Sequence, residues 1–188
     1  MAVLYLASLA VALTGMVMLD KRFRLFFWRD ARRAAIVLVA GLGHSVVGVD
    51  LAGRMVQRAR EKTEEFGSRV TIRQGDVSVP PIDPLSVDVV LARHILWTLP
   101  DPQSALVQWR SLLRPGGRFL LVEGRWWSVG DQGYNDEAGM PWAGGVRAVD
   151  LAAALEPLVQ AVEVVPLTEP LLWGKEIEDE RYLLVAAI

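Results

Sequence analysis

The 188-residue sequence contains no cysteine. That absence excludes disulfides, thiolate nucleophiles and cysteine-ligated zinc. Histidine occurs only at His44 and His94, too few for a histidine-rich metal centre. The net charge is -2, so no global basic field points to nucleic acid, and none is expected as a partner. Aromatic residues are 8% of the chain, whereas apolar residues reach 52%.

Charge and hydropathy are unevenly spread. Residues 1–42 hold six basic and two acidic side chains, and the remainder holds fourteen basic and twenty acidic ones. Ala2 to Leu19 is an 18-residue run without charge. It approaches the roughly 20 apolar residues that cross a bilayer. The cluster DKRFRLFFWRDARR follows it. By the positive-inside tendency, the chain after residue 20 is expected on the cytoplasmic side, tethered through residues 2–19. A signal peptide would carry its basic residues before the apolar run, not after it. The other reading of the run is a buried helix, which would leave the protein cytoplasmic.

From Ser45 onward strands and helices alternate. Ser45–Val49 reads as a β-branched strand ending in Asp50. Leu51–Phe66 has helical spacing, with Leu51, Met55, Val56 and Ala59 on one face. Gly67 suits the end of that helix. Val70–Arg73 is a second strand closed by Gly75–Asp76, and VPPIDPLS is a proline-rich loop. Val87–Ala92 is a continuous apolar strand of the type buried on both faces. Asp101–Pro102 matches an N-cap followed by proline at the first helical position, and the helix runs to about Leu113. Arg118–Val122 is another strand. Asp150–Leu158 reads as a helix capped by Asp150, and Ala161–Leu167 and Arg181–Ala187 as the last strands. This order predicts an α/β, doubly wound, Rossmann-like sheet with an antiparallel end. Such sheets bind ligands at the carboxyl ends of their strands, where Asp50 and Asp76 fall.

The motifs resemble those of class I S-adenosylmethionine-dependent methyltransferases of the type 11 kind, over about residues 34–188. GHSVVGVDLAGRMVQRARE is similar to the second-strand motif. The resemblance implies that Asp50 binds the cofactor ribose and that Leu51 and Met55 pack near the adenine. RQGDV is similar to the third-strand motif, which implies Asp76 at the adenine amino group and backbone contacts from Val77. VDVVLARHILWTLPDP resembles the fourth-strand motif, which implies Ala92, Arg93 and His94 beside the reacting sulfonium. LRPGGRFLLVEG resembles the fifth. S-adenosylmethionine is the implied cofactor, and a small molecule the implied methyl acceptor. His94 is the candidate general base, because histidine ordinarily titrates near neutrality.

Each position also has a purely structural reading. Asp50 and Asp76 could act only as cap and turn residues, and His94 could pack against Trp97 or bond to backbone. His44 reads as a turn residue and Glu123 as bonded to a neighbouring strand. Arg125, Trp126, Trp127 and Tyr134 are candidates for an acceptor pocket.

One family feature is missing. A first strand and glycine-rich loop should precede the ribose-binding acid by roughly 18–20 residues. Counting back from Asp50 lands on Trp28–Arg32, which has no glycine. Gly41-Leu42-Gly43 ends only 7 residues before Asp50, too close for a helical crossover. Arg33–Leu42 therefore reads as the helix after an absent strand, or else as a strand at Ile36–Val39. The missing G-x-G-x-x-G also argues against nicotinamide binding. Residues 3–40 resemble the opening of small membrane-embedded lycopene cyclase subunits. That implies a fusion: residues 1–33 a hydrophobic and basic segment, 34–188 a methyltransferase-like domain. The expected function is small-molecule methylation, impaired by the missing loop. The alternative is a non-catalytic remnant joined to a membrane segment.

Overall fold

The computed structural model describes residues 36–126, 139–170 and 176–188. Residues 2–19 and Trp28–Arg32 lie outside the described residues. Among those described, no helix is long and apolar enough to cross a membrane. The chain divides into two compact units, one formed by Met1–Pro81 with Pro170–Lys175 and the other by Ile82–Glu169 with Glu176–Ile188.

In the first unit, residues 36–41 are helical, as the crossover reading of Arg33–Leu42 expects, and the alternative strand at Ile36–Val39 does not form. The helix stops at Gly43, whose φ of 92° is the left-handed conformation that glycine supplies at helix ends. Strand β1 (Val46–Asp50) pairs in parallel with β2 (Val70–Gln74), from Val46 opposite Val70 to Asp50 opposite Gln74. Helix α1 (Gly53–Thr63) links them and buries Val56, Ala59 and Thr63, a spacing of three and four residues. Val56 and Ala59 pack with Ile72, and Ile36 and Val70 join the cluster. Gly48 leaves room for two isoleucine side chains there. A Cβ would lie 2.8 Å from Ile36 Cδ1 and 2.9 Å from Ile72 Cδ1. Leu51 departs from the expected helix face: it precedes α1 and is 68% exposed. A short 3-10 segment, Glu64–Arg69, completes the connection and bends at Gly67.

The second unit holds β3 (Val87–Arg93), α2 (Pro102–Leu112), β4 (Leu113–Arg125), α3 (Ala148–Leu155), β5 (Ala161–Pro166) and β6 (Glu180–Ala187). Its sheet order is β3-β4-β6-β5. β3 runs parallel to β4, and β6 runs antiparallel to both β4 and β5, which gives the expected antiparallel end. Asp101 caps α2 by accepting the Ser104 amide at 2.9 Å, with proline following. α2 buries Ala105, Leu106, Trp109 and Leu112, and the core continues through Phe119, Leu121, Leu151, Leu155, Leu183 and Leu184.

Two details of this unit differ from expectation. β3 is not covered on both faces, since Val89 is 43% exposed and only Ala92 is buried within it. Among the described residues β3 is the edge of its sheet, whereas β4 is buried from Phe119 through Gly124. Asp150 does not cap α3. The N-cap is Arg147, whose guanidinium takes both Asp150 carboxylate oxygens at 2.8 and 2.9 Å. That i,i+3 pair competes with capping.

The architecture is thus an α/β, Rossmann-like one, with helices crossing between parallel strands. Among the described residues, however, the strands form two sheets, β1–β2 and β3-β4-β6-β5. β1 and β3 have one strand partner each.

Candidate functional site

In the first unit, the tips of β1 and β2 are tied together. The Gly75 amide donates to the Asp50 carbonyl at 3.1 Å, and Gln74 Nε2 donates to the Leu51 carbonyl at 3.2 Å. Asp50 Oδ1 accepts the Ala52 amide at 2.9 Å, and Asp76 Oδ1 accepts the Ser78 amide at 2.8 Å. Both are turns two residues long, closed by an aspartate side chain. They fix the carboxylates at the carboxyl ends of adjacent parallel strands. Neither is the N-cap of α1, which is Ala52, a residue with no side chain to cap the helix. Met55 is half-buried on α1, Leu51 is exposed, and Val77 is half-buried beside Asp76.

In the second unit the chain leaves β3 through Arg93 and His94. His94 has a φ of 50°, rare for a residue with a side chain. Its amide donates to Val122 O at 2.9 Å, its carbonyl accepts from Trp97 Nε1 at 3.1 Å, and its ring stacks on Trp126 at 4.8 Å between centroids. Trp97 meets the same Trp126 edge-on at 5.7 Å. His94 thus bonds to backbone, as one of its structural readings expects, and its ring stacks on Trp126.

Glu123, fully buried on β4, holds this turn. Its Oε1 accepts the Ile95 amide at 3.0 Å and the Leu96 amide at 3.2 Å. Among the described residues its Oε2 has no hydrogen-bond partner, and neither does the buried His94 Nε2. Leaving a buried polar atom unpaired costs about 1–3 kcal/mol, so two within one turn need a reason. Burial raises the Glu123 carboxyl from 4.5 to about 7, against the two amides and Arg93, which lower it. Burial, then Arg93 and Arg181, lowers the His94 imidazole from 6.5 to about 3, so it is neutral near pH 7. Burial and the neighbouring Arg181 lower Arg93, which Glu123 partly offsets. Arg181 itself pairs with Asp179 at 2.7 Å.

The structure thus brings Asp50 and Asp76 together, and separately Ala92, Arg93 and His94. Of the acceptor-pocket candidates, Arg125 donates to the carbonyls of Ala143 and Gly145 at 2.8 and 2.7 Å and braces a loop. Trp127 and Tyr134 lie outside the described residues. Glu123 is a weak signal in the sequence: one charge in the apolar run FLLVEG, its partner a turn some 28 residues earlier. Among the described residues no cluster of side chains suits a metal ion.

Residues 33–121 match the methyltransferase domain family and form a class I S-adenosylmethionine-dependent methyltransferase domain. The chain is similar to an arsenite methyltransferase of Halobacterium salinarum, 28% identical over 159 residues, which cover 78% of this chain and 39% of that protein. It is also similar to a ubiquinone biosynthesis O-methyltransferase of Xanthomonas euvesicatoria pv. vesicatoria, 36% identical over 84 residues, covering 44% of this chain and 35% of that protein. A solved geranyl diphosphate methyltransferase in complex with S-adenosylmethionine matches with a TM-score of 0.65 at 18% identity, over 83% of this chain and 74% of that one. At that identity the likeness shows the fold alone. The chain spans 24%, 4% and 39% of the length of three curated relatives it matches.

Proposed function

We propose that the chain is a methyltransferase that moves the methyl group of S-adenosylmethionine to a small-molecule acceptor. The observation that carries this reading is the pair Asp50 and Asp76, fixed at adjacent strand ends inside a methyltransferase domain. Two carboxylates so held suit hydrogen-bond donors of a nucleoside. Asp50 would take the ribose hydroxyls and Asp76 the adenine amino group. Leu51 and Met55 would cover the adenine, and Val77 would contact it through its backbone. Ala92, Arg93 and His94 would stand beside the sulfonium. Bound there, the cofactor supplies an electrophilic methyl group. His94 is neutral near pH 7 and suits a hydrogen-bonding role as well as that of a base.

A second reading, that of a non-catalytic remnant, is favoured by the split sheet. β1 and β3 each pair with one described strand only, where the family's first strand would sit between them. In that reading residues 1–33 are a foreign membrane segment and 34–188 the remnant. In the first reading the same segment tethers an enzyme, impaired at the amino-acid end of its cofactor, to the cytoplasmic side of a membrane. Calorimetric titration of the full chain with S-adenosylmethionine separates the two. Binding in the micromolar range, weakened in Asp50→Ala by about 10- to 150-fold, supports the enzyme. No binding supports the remnant. Binding unchanged in Asp50→Ala removes the ribose role.

A further inference from the structure

We propose that Glu123 Oε2 and His94 Nε2 form the recognition site for a neutral hydroxyl on the methyl acceptor, with Glu123 receiving the hydroxyl proton. This rests on the methyltransferase reading and adds to it an acceptor class and a proton acceptor.

The argument starts from division of labour within one carboxylate. Oε1 is committed to the Ile95 and Leu96 amides, while Oε2 is equally buried and has no partner among the described residues. His94 immediately precedes those amides, and its own amide is bonded to Val122, the neighbour of Glu123. The carboxyl and the imidazole are therefore fixed to one another through the backbone. Stacking on Trp126 fixes the ring as well. Two buried, immobilised polar atoms with nothing to bond suit a ligand that brings the missing group.

The charges around them select that group. Arg93 on β3 and Arg181 on β6 both act on this turn, Asp179 pairs with Arg181, and Tyr182 on β6 donates its hydroxyl to Val146 O. A cationic ammonium would meet two guanidinium groups. A hydroxyl is neutral, donates to Oε2 and accepts from or donates to the imidazole. On methylation the hydroxyl O–H bond breaks and its proton binds Oε2. The freed oxygen electron pair forms the bond to the methyl carbon, and the broken carbon–sulfur bond leaves its pair on sulfur. The carboxyl then returns the proton to water. Burial holds Glu123 near neutrality, the range in which a group can both accept and release a proton at pH 7.

The test uses the full chain and two probes, phenol and its methyl ether anisole, with dissociation constants from ligand-observed NMR at pH 8. The expected result is phenol bound about tenfold or more tightly than anisole, as for a hydrogen bond to a charged group. That preference should fall to within about twofold in Glu123→Gln and in His94→Asn. Asparagine tolerates the left-handed backbone at 94, and melting followed by circular dichroism checks that both variants fold. Equal binding of phenol and anisole, or a preference that survives in folded Glu123→Gln, overturns the proposal. Titration of the wild-type chain and of Asp50→Ala with S-adenosylmethionine reports separately on the methyltransferase reading, because Asp50 takes no part in the hydroxyl site.

Discussion

Glu123 and His94 should impose opposite pH dependences on folding stability that cancel in the wild type. Glu123 titrates at about 7 in the fold against an ordinary 4.5. Between those values the native state holds a proton that the unfolded chain has released, so stability falls as pH rises. At about 1.4 kcal/mol per pH unit the whole loss is on the order of 3 kcal/mol. His94 titrates at about 3 in the fold against an ordinary 6.5. There the unfolded chain holds the extra proton, so stability rises with pH, by on the order of 5 kcal/mol in all. From pH 4.5 to 6.5 the two slopes are equal and opposite. Glu123→Gln removes one of them, and its stability should climb by on the order of 3 kcal/mol across that window relative to wild type. His94→Asn should fall by about the same amount, and the double variant should track the wild type. Equilibrium urea unfolding at half-unit pH steps, read by tryptophan fluorescence, gives the profiles. The variant-minus-wild-type difference removes the contribution of surface groups. Parallel profiles for wild type and both single variants would refute the burial argument for both residues.

Tyr182→Phe deletes a buried hydrogen bond to Val146 O and strands that carbonyl, so urea unfolding should show a loss of about 1–3 kcal/mol. If Ala2–Leu19 spans a bilayer, the full chain stays in the membrane fraction through high-salt and carbonate washes, and recovery in the supernatant removes the tether. Replacing residues 1–33 with a strand and G-x-G-x-G loop should raise both melting temperature and affinity for S-adenosylmethionine. A graft that changes neither would show that the missing strand is not the defect.

What was legible in the sequence was local or periodic. The helix from Pro102 to Leu112 could be read because its cap, its proline and its apolar spacing all lie within eleven or twelve residues. Asp50 and Asp76 could be placed because a strand followed by an acid and a turn is a short pattern. Burial in β3 could not be read the same way. An apolar run is buried on both faces only if a neighbour covers each, and among the described residues β3 is an edge strand with Val89 exposed. The cap of α3 failed for a related reason, since Arg147 was available to take Asp150 and a cap preference says nothing of that competitor. Glu123 is the instructive case. Its residue type predicts exposure, and its position in FLLVEG predicts burial. Only the parallel pairing of β3 with β4, which sets Arg93 opposite Val122, delivers two backbone amides to that carboxylate and so permits its burial. The same pairing leaves its second oxygen and the His94 nitrogen buried without partners. A chain that keeps two such atoms through folding accepts a free-energy penalty that apolar residues of similar shape would relieve. That penalty is what a bound hydroxyl would remove, so the acceptor end of the site is best sought at the tip of β3 and β4.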